Sequence, residues 1–169
     1  LRSYRPTCVC DERPWVQGVG GELSAVLRGP SILRPQHFVK PEGPYDIVSL
    51  LIGVNNQFRG YPEIQYRAEF AKLLDQAIAF AGNDTGRVLV LSIPDYGVTP
   101  FGQNRNPEKI AAELDRYNLI ADSVCQKRGV RFYDITPISR EALDDPDLIA
   151  SDQLHPSGEM YRRWVELIL

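Results

Sequence analysis

Histidine is scarce in this chain: there are two, His37 and His155, so imidazole chemistry has few places to reside. Three cysteines, Cys8, Cys10 and Cys125, are too few for a disulfide framework. Cys8 and Cys10 lie too close together for ordinary metal-ligand spacing, and Cys125 falls inside a helical pattern. All three read as free thiols, which favours a reducing, cytoplasmic compartment. No apolar run approaches the roughly 18 residues a membrane helix needs. Nor does a basic-then-apolar leader open the chain. There is no basic excess, since the net charge is -3 and the pI about 5.4. That argues against a nucleic-acid partner held by general electrostatics. Neither a phosphate-binding loop nor a dinucleotide fingerprint is present, and no metal or organic cofactor is implied. Internal repeats and low-complexity tracts are also missing.

What is present is a regular alternation from Tyr45 onward. Residues 46–52 (DIVSLLI) form a near-continuous apolar run, expected of a strand covered on both faces. Residues 62–81 carry Ile64, Phe70, Leu73, Leu74, Ala77, Ile78 and Phe80 at helical spacing, with Pro62 suited to a first helical position and Gly82 to the exit. Residues 87–93 (RVLVLSI) predict a second buried strand. Asn106-Pro107-Glu108 is a helix start with cap, ring and acidic first turn, and that helix runs to about Lys127, ended by Gly129. Residues 130–135 (VRFYDI) predict a third strand, and 158–169 a last helix with Met160, Trp164, Leu167 and Ile168 on its apolar side.

Strands alternating with helices at this spacing imply parallel pairing through crossover helices. The expected class is α/β, a flavodoxin-like three-layer α/β/α arrangement in one domain over residues 1–169. Such sheets place their sites beyond the carboxyl ends of the strands. The loops at 53–61, 94–105 and 136–155 all open on that edge, so Asn55 and His155 are expected on one rim. Residues 1–44 differ: 16–28 is a glycine-weakened helix candidate and 29–44 is proline-rich without period.

Two motifs on the rim can carry chemistry. In Asp152-Gln153-Leu154-His155-Pro156, the proline pushes His155 out of helical geometry and onto the loop. Asp152 can then accept the imidazole N–H, fix the tautomer and leave the other ring nitrogen to take a proton from a hydroxyl. The alternative is that Asp152 or Ser157 caps the last helix and His155 is a surface residue. In Gly53-Val54-Asn55-Asn56, glycine permits a sharp turn off the strand, and an Asn amide can point into the cleft to stabilise an oxyanion. Its alternative is a simple turn.

Together the motifs resemble the SGNH (GDSL-type) hydrolase family. Its third block, Gly-x-Asn-Asp, is similar to Gly53-Val54-Asn55-Asn56 with Asn56 in place of Asp, and its fifth, Asp-x-x-His, to Asp152–His155. The resemblance covers about residues 45–169, through YDIVSLLIGVNNQFRG, VLVLSIPDYGVTPF and DITPISREALDDPDLIASDQLHPSGEMY. It implies a serine esterase acting on a small ester, with Asn55 as oxyanion donor, His155 as general base and Asp152 as its support. The family's first block, Gly-Asp-Ser after a strand, supplies the nucleophile. The nearest trace here is Leu1-Arg2-Ser3-Tyr4, making Ser3 the candidate, without the Gly, the Asp or the strand. Gly29 and Gly43 are candidates for the family's second block. The first quarter thus reads as truncated or altered, and the chain, which begins at Leu1, as a fragment or a processed product. The expectation is weak or absent esterase activity, gained when a strand ending Gly-Asp-Ser is restored. The rival is a non-catalytic binding domain on the same scaffold.

Other polar residues read as structural. His37 lacks a carboxylate at useful spacing, Asp95 follows a strand and suits a turn, and Glu141, Asp144 and Asp145 suit an acidic surface.

Overall fold

Steric compatibility with a pleated, buried surface puts the aliphatic runs at the centre of the molecule. In the computed structural model, which describes residues 44–169, they form a parallel sheet of three strands: β1 (Val48–Leu50), β2 (Val88–Leu91) and β3 (Arg131–Tyr133), in that spatial order. Val48, Ser49 and Leu50 pair with Val88, Leu89 and Val90, and Leu89, Val90 and Leu91 with Arg131, Phe132 and Tyr133. The strands are shorter than the apolar runs, because the chain leaves the ladder as soon as it turns into the rim loops.

Between β1 and β2 lie α1 (Val54–Phe58) and α2 (Glu63–Phe80), between β2 and β3 lie α3 (Pro100–Gln103) and α4 (Pro107–Arg128), and α5 (Thr136–Arg140) and α6 (Gly158–Ile168) follow β3. The long helices fall where periodicity puts them. Pro62 stands one position earlier than expected, as the N-cap of α2 with extended ψ, since its ring is as compatible with that site as with the first turn. Asn106 caps α4 by accepting the Lys109 N–H at 3.0 Å, and Gly129 ends it at φ 64°.

Strand alternation sorts the core into layers. Val88 and Val90 point toward α2 and α4, joining Phe70, Leu74, Leu114 and Ala121 in the main cluster. Leu91 points the other way and packs on a second cluster built from Ile135, Leu148, Met160 and Trp164. Helices therefore flank both faces, as a three-layer α/β/α plan requires. Among the described residues β1 is covered on one face: Leu50 is buried, whereas Ile47 is 67% and Leu51 41% exposed. The burial on its inner face comes from Leu50 alone among 49–51. Among the described residues no helix is long and apolar enough to cross a membrane.

Candidate active site

At the carboxyl end of β1 the backbone turns at Gly53 with φ +127°, a conformation that L side chains rarely adopt. The turn is also too tight for a side chain. A Cβ there would lie 2.6 Å from Ile93 Cδ1 and 2.8 Å from Tyr66 Cε2. Directly behind it α1 begins, and its first turn carries Asn55, half-buried at the rim.

A set of side chains from three other segments holds α1 and its flanks in place. The Asn56 amide donates to Glu69 at 2.8 Å. Asn56 is buried, so the aspartate usual in the resembled motif would set one carboxylate against another here. The Gln57 amide donates to Glu113 at 2.8 Å and its carbonyl accepts the Tyr96 hydroxyl at 2.9 Å. The Tyr66 hydroxyl donates to the Ile52 carbonyl at 3.3 Å, and Tyr117 to the Tyr61 carbonyl at 2.6 Å. Burial pushes the Tyr66 phenol well above its ordinary range, which keeps it a neutral donor.

The ends of β2 and β3 are joined by a buried polar network. Asn118, from the middle of α4, accepts the Ile93 N–H at 2.8 Å and donates to the Ile93 carbonyl at 3.2 Å and to Thr136 Oγ1 at 2.9 Å. Ser92 Oγ accepts the N–H groups of Ile135 and Thr136 and reaches Asp134 Oδ1 at 2.9 Å. Asp95 makes the turn expected of it, accepting the Gly97 N–H at 2.8 Å, and also pairs with Arg140 at 2.9 Å.

The Asp152–His155 bend is tied down on two sides. Ile149 and Pro156 form an antiparallel bridge, with the Ala150 N–H donating to the His155 carbonyl at 2.8 Å. On the other side the Phe101 N–H donates to the Gln153 carbonyl at 3.4 Å. Within the bend Asp152 accepts the N–H groups of Leu154 at 3.0 Å and His155 at 2.9 Å, and its second oxygen lies 2.6 Å from His155 Nδ1. Those backbone N–H groups and the imidazole hold the carboxyl down at about 2, so it is an anion at any neutral pH. Ser157, not Asp152, caps α6, accepting the Met160 N–H at 3.3 Å. The capping role and the imidazole-supporting role thus fall to different residues.

Two contacts link the Asn55 helix to the His155 bend. Phe58, three residues after Asn55, packs its ring 6.4 Å from Phe101, the residue whose N–H reaches Gln153. Leu154, like Ile52, Val54 and Phe101, packs against the main core cluster. Ser3, Gly29, Gly43, His37, Cys8 and Cys10 lie outside the described residues. Sequence reasoning missed Asn118, Ser92 and Gln57. Asn118 did leave a signal: it is a polar residue on the buried face of α4, four residues after Leu114 and three before Ala121.

The sequence pattern of the GDSL-like lipase/acylhydrolase family matches residues 5–163. The chain belongs to that family. The matched span begins after Ser3 and takes in Asn55, Asp152 and His155. No curated protein matches the chain. Among solved structures, Axe2, an acetylxylan esterase from Geobacillus stearothermophilus, superposes with a TM-score of 0.55 at 21% identity, covering 75% of this chain and 58% of its own. LAE5, an alpha/beta hydrolase enzyme from the metagenome of Lake Arreo, Spain, gives 0.55 at 18% identity, covering 75% and 59%. The chain therefore spans less than two thirds of the length of these structures, and the likeness is one of fold. Variants of Axe2 described as catalytic mutants replace a serine, an aspartate and a histidine, the last two three residues apart.

Proposed function

We propose that this family member hydrolyses carboxylic esters by a Ser-His-Asp mechanism with Asn55 as an oxyanion donor. The observation that carries the reading is the 2.6 Å contact between Asp152 and His155 Nδ1, on a half-exposed bend tied to the segment that flanks Asn55. The separation of Asp152 and His155 equals that of the aspartate and histidine altered in the Axe2 variants, which supports the same roles.

With Nδ1–H engaged by Asp152, Nε2 of His155 is the free base. It takes the proton of the nucleophilic hydroxyl, for which Ser3 is the candidate, as the oxygen bonds to the ester carbon. Negative charge moves to the former carbonyl oxygen, where the Asn55 amide donates. Collapse of the tetrahedral intermediate breaks the bond to the alcohol oxygen, which takes the proton from His155. Water then attacks the acyl-enzyme by the same route, releasing the acid and restoring the serine.

The rival reading, a binding domain without a working nucleophile, is favoured by Leu1-Arg2-Ser3-Tyr4, which lacks the Gly and Asp of the family's first block. A fluorophosphonate probe separates the two. Labelling of the folded chain that disappears in Ser3→Ala supports hydrolysis. Folded protein that takes up no label supports the rival.

A further inference from the structure

Beside the Asn55 helix lies a cation that no carboxylate of the described residues neutralises. Arg105, after α3, stacks its guanidinium 3.7 Å from the centre of the Phe101 ring and 5.7 Å from that of Phe58. One of its terminal nitrogens donates to the Phe101 carbonyl at 2.9 Å, which fixes the plane of the group. The other arginines near acids are spent on them: Arg87, Arg116, Arg128, Arg140, Arg162 and Arg163 each meet a carboxylate. Arg105 is held instead by an aromatic face and a backbone oxygen, so its position is defined and no carboxylate among the described residues takes up its charge.

Its surroundings fit a binding role. Phe58 is 51% exposed despite its size, and its ring meets Tyr96 and Phe101 edge-on or tilted rather than flat. One helical turn separates it from Asn55, so both lie on the same side of α1. Phe101 reaches the His155 bend through its N–H. A flat apolar group resting on Phe58 would carry an anionic substituent to the outer edge of Arg105. Among the described residues, Arg105 is set apart by having its position fixed by an aromatic face and a backbone carbonyl rather than by a carboxylate.

We propose that Phe58 and Arg105 form a subsite for a carboxylate carried by the ester, and that the substrates are esters bearing that negative charge. The assignment of the ligand as a substrate rests on the hydrolase reading, whereas the anion subsite itself is tested by binding alone. Benzoate and benzamide, the same ring with and without the charge, are titrated into the chain while the Arg105 Nε–H and Phe58 ring resonances are followed. Benzoate shifts both and binds about fivefold tighter than benzamide, the scale of one exposed, well-oriented ion pair. Arg105→Gln abolishes that preference, as does roughly 1 M NaCl, where the screening length is about 3 Å. Arg131→Gln, the same charge removed at the amino end of β3, keeps it. Equal affinity for the two ligands, or a preference that survives Arg105→Gln, overturns the proposal. A chain that binds benzoate at Arg105 but takes no fluorophosphonate label refutes the hydrolase reading while retaining the subsite. In a form that turns over esters, para-acetoxybenzoate carries the carboxylate on the alcohol half and mono-p-nitrophenyl succinate on the acyl half. The one that outruns its uncharged counterpart names the half; if neither does, the substrate assignment falls.

Discussion

Replacing Gly53 by alanine should damage this molecule more than its size suggests. Two costs combine. A φ of +127° is a region that any residue with a Cβ enters only under strain, of about 1–3 kcal/mol. The new methyl also meets Ile93 at 2.6 Å and Tyr66 at 2.8 Å, both of them buried among α2, α4 and the β2 end. Tyr66 cannot withdraw, because it is stacked on Tyr117 and bonded to Ile52, and overpacking of this kind costs about 1–3 kcal/mol. The sum predicts a loss of about 2–6 kcal/mol. Gly60→Ala is the internal control. Its φ is +67°, but nothing lies within 4 Å of its Cβ position, so it bears only the backbone term of about 1 kcal/mol. Urea unfolding of the two variants beside the parent chain reads the difference. If Gly53→Ala is no more destabilised than Gly60→Ala, the close packing around the Asn55 turn is wrong.

Three further outcomes follow from the same structure. Asp152 has its folded carboxyl at about 2, below the ordinary 3.8, so its contribution to stability is present above the unfolded value and lost as pH falls toward 2; its carboxyl carbon shift should titrate near 2, and a midpoint at or above 3.8 would contradict the bend. Asn118→Leu leaves the buried Ile93 N–H without its partner and removes one of the bonds made by the Ile93 carbonyl and by Thr136, which keep each other, and should cost about 2–4 kcal/mol in urea unfolding, whereas a loss below about 1 kcal/mol would show the network to be dispensable. Cys125 is fully buried and burial pushes its thiol up to about 12, so alkylation at about pH 8 followed by peptide mapping should find it unmodified in the folded chain and modified in urea; labelling at the rate of a free thiol would refute its placement.

How much of this was legible in the sequence depended on period and on distance along the chain. The strands and the three long helices declare themselves through alternation and 3.6-residue spacing, and Asn106 and Gly129 mark the ends of α4 in plain chemical terms. The helices α1, α3 and α5 span four or five residues, too short for any period to emerge, so the rim loops read as turns. The pairing of Asp152 with His155 was legible because it is local, three residues and one proline. What holds Asn55 was not. Glu69, Glu113, Tyr96 and Asn118 act on residues 13 to 56 positions away, and only the fold brings them there.

The central claim is that one ester carbonyl is served by Asn55 on one side and His155 on the other. The direct measurement is kcat and KM for p-nitrophenyl acetate in a form of the chain bearing a strand that ends Gly-Asp-Ser, compared with Asn55→Ala and His155→Ala in that form. The account predicts a fall in kcat of roughly 100-fold or more for each, with KM little changed for Asn55→Ala. Turnover that persists undiminished in either variant would contradict it.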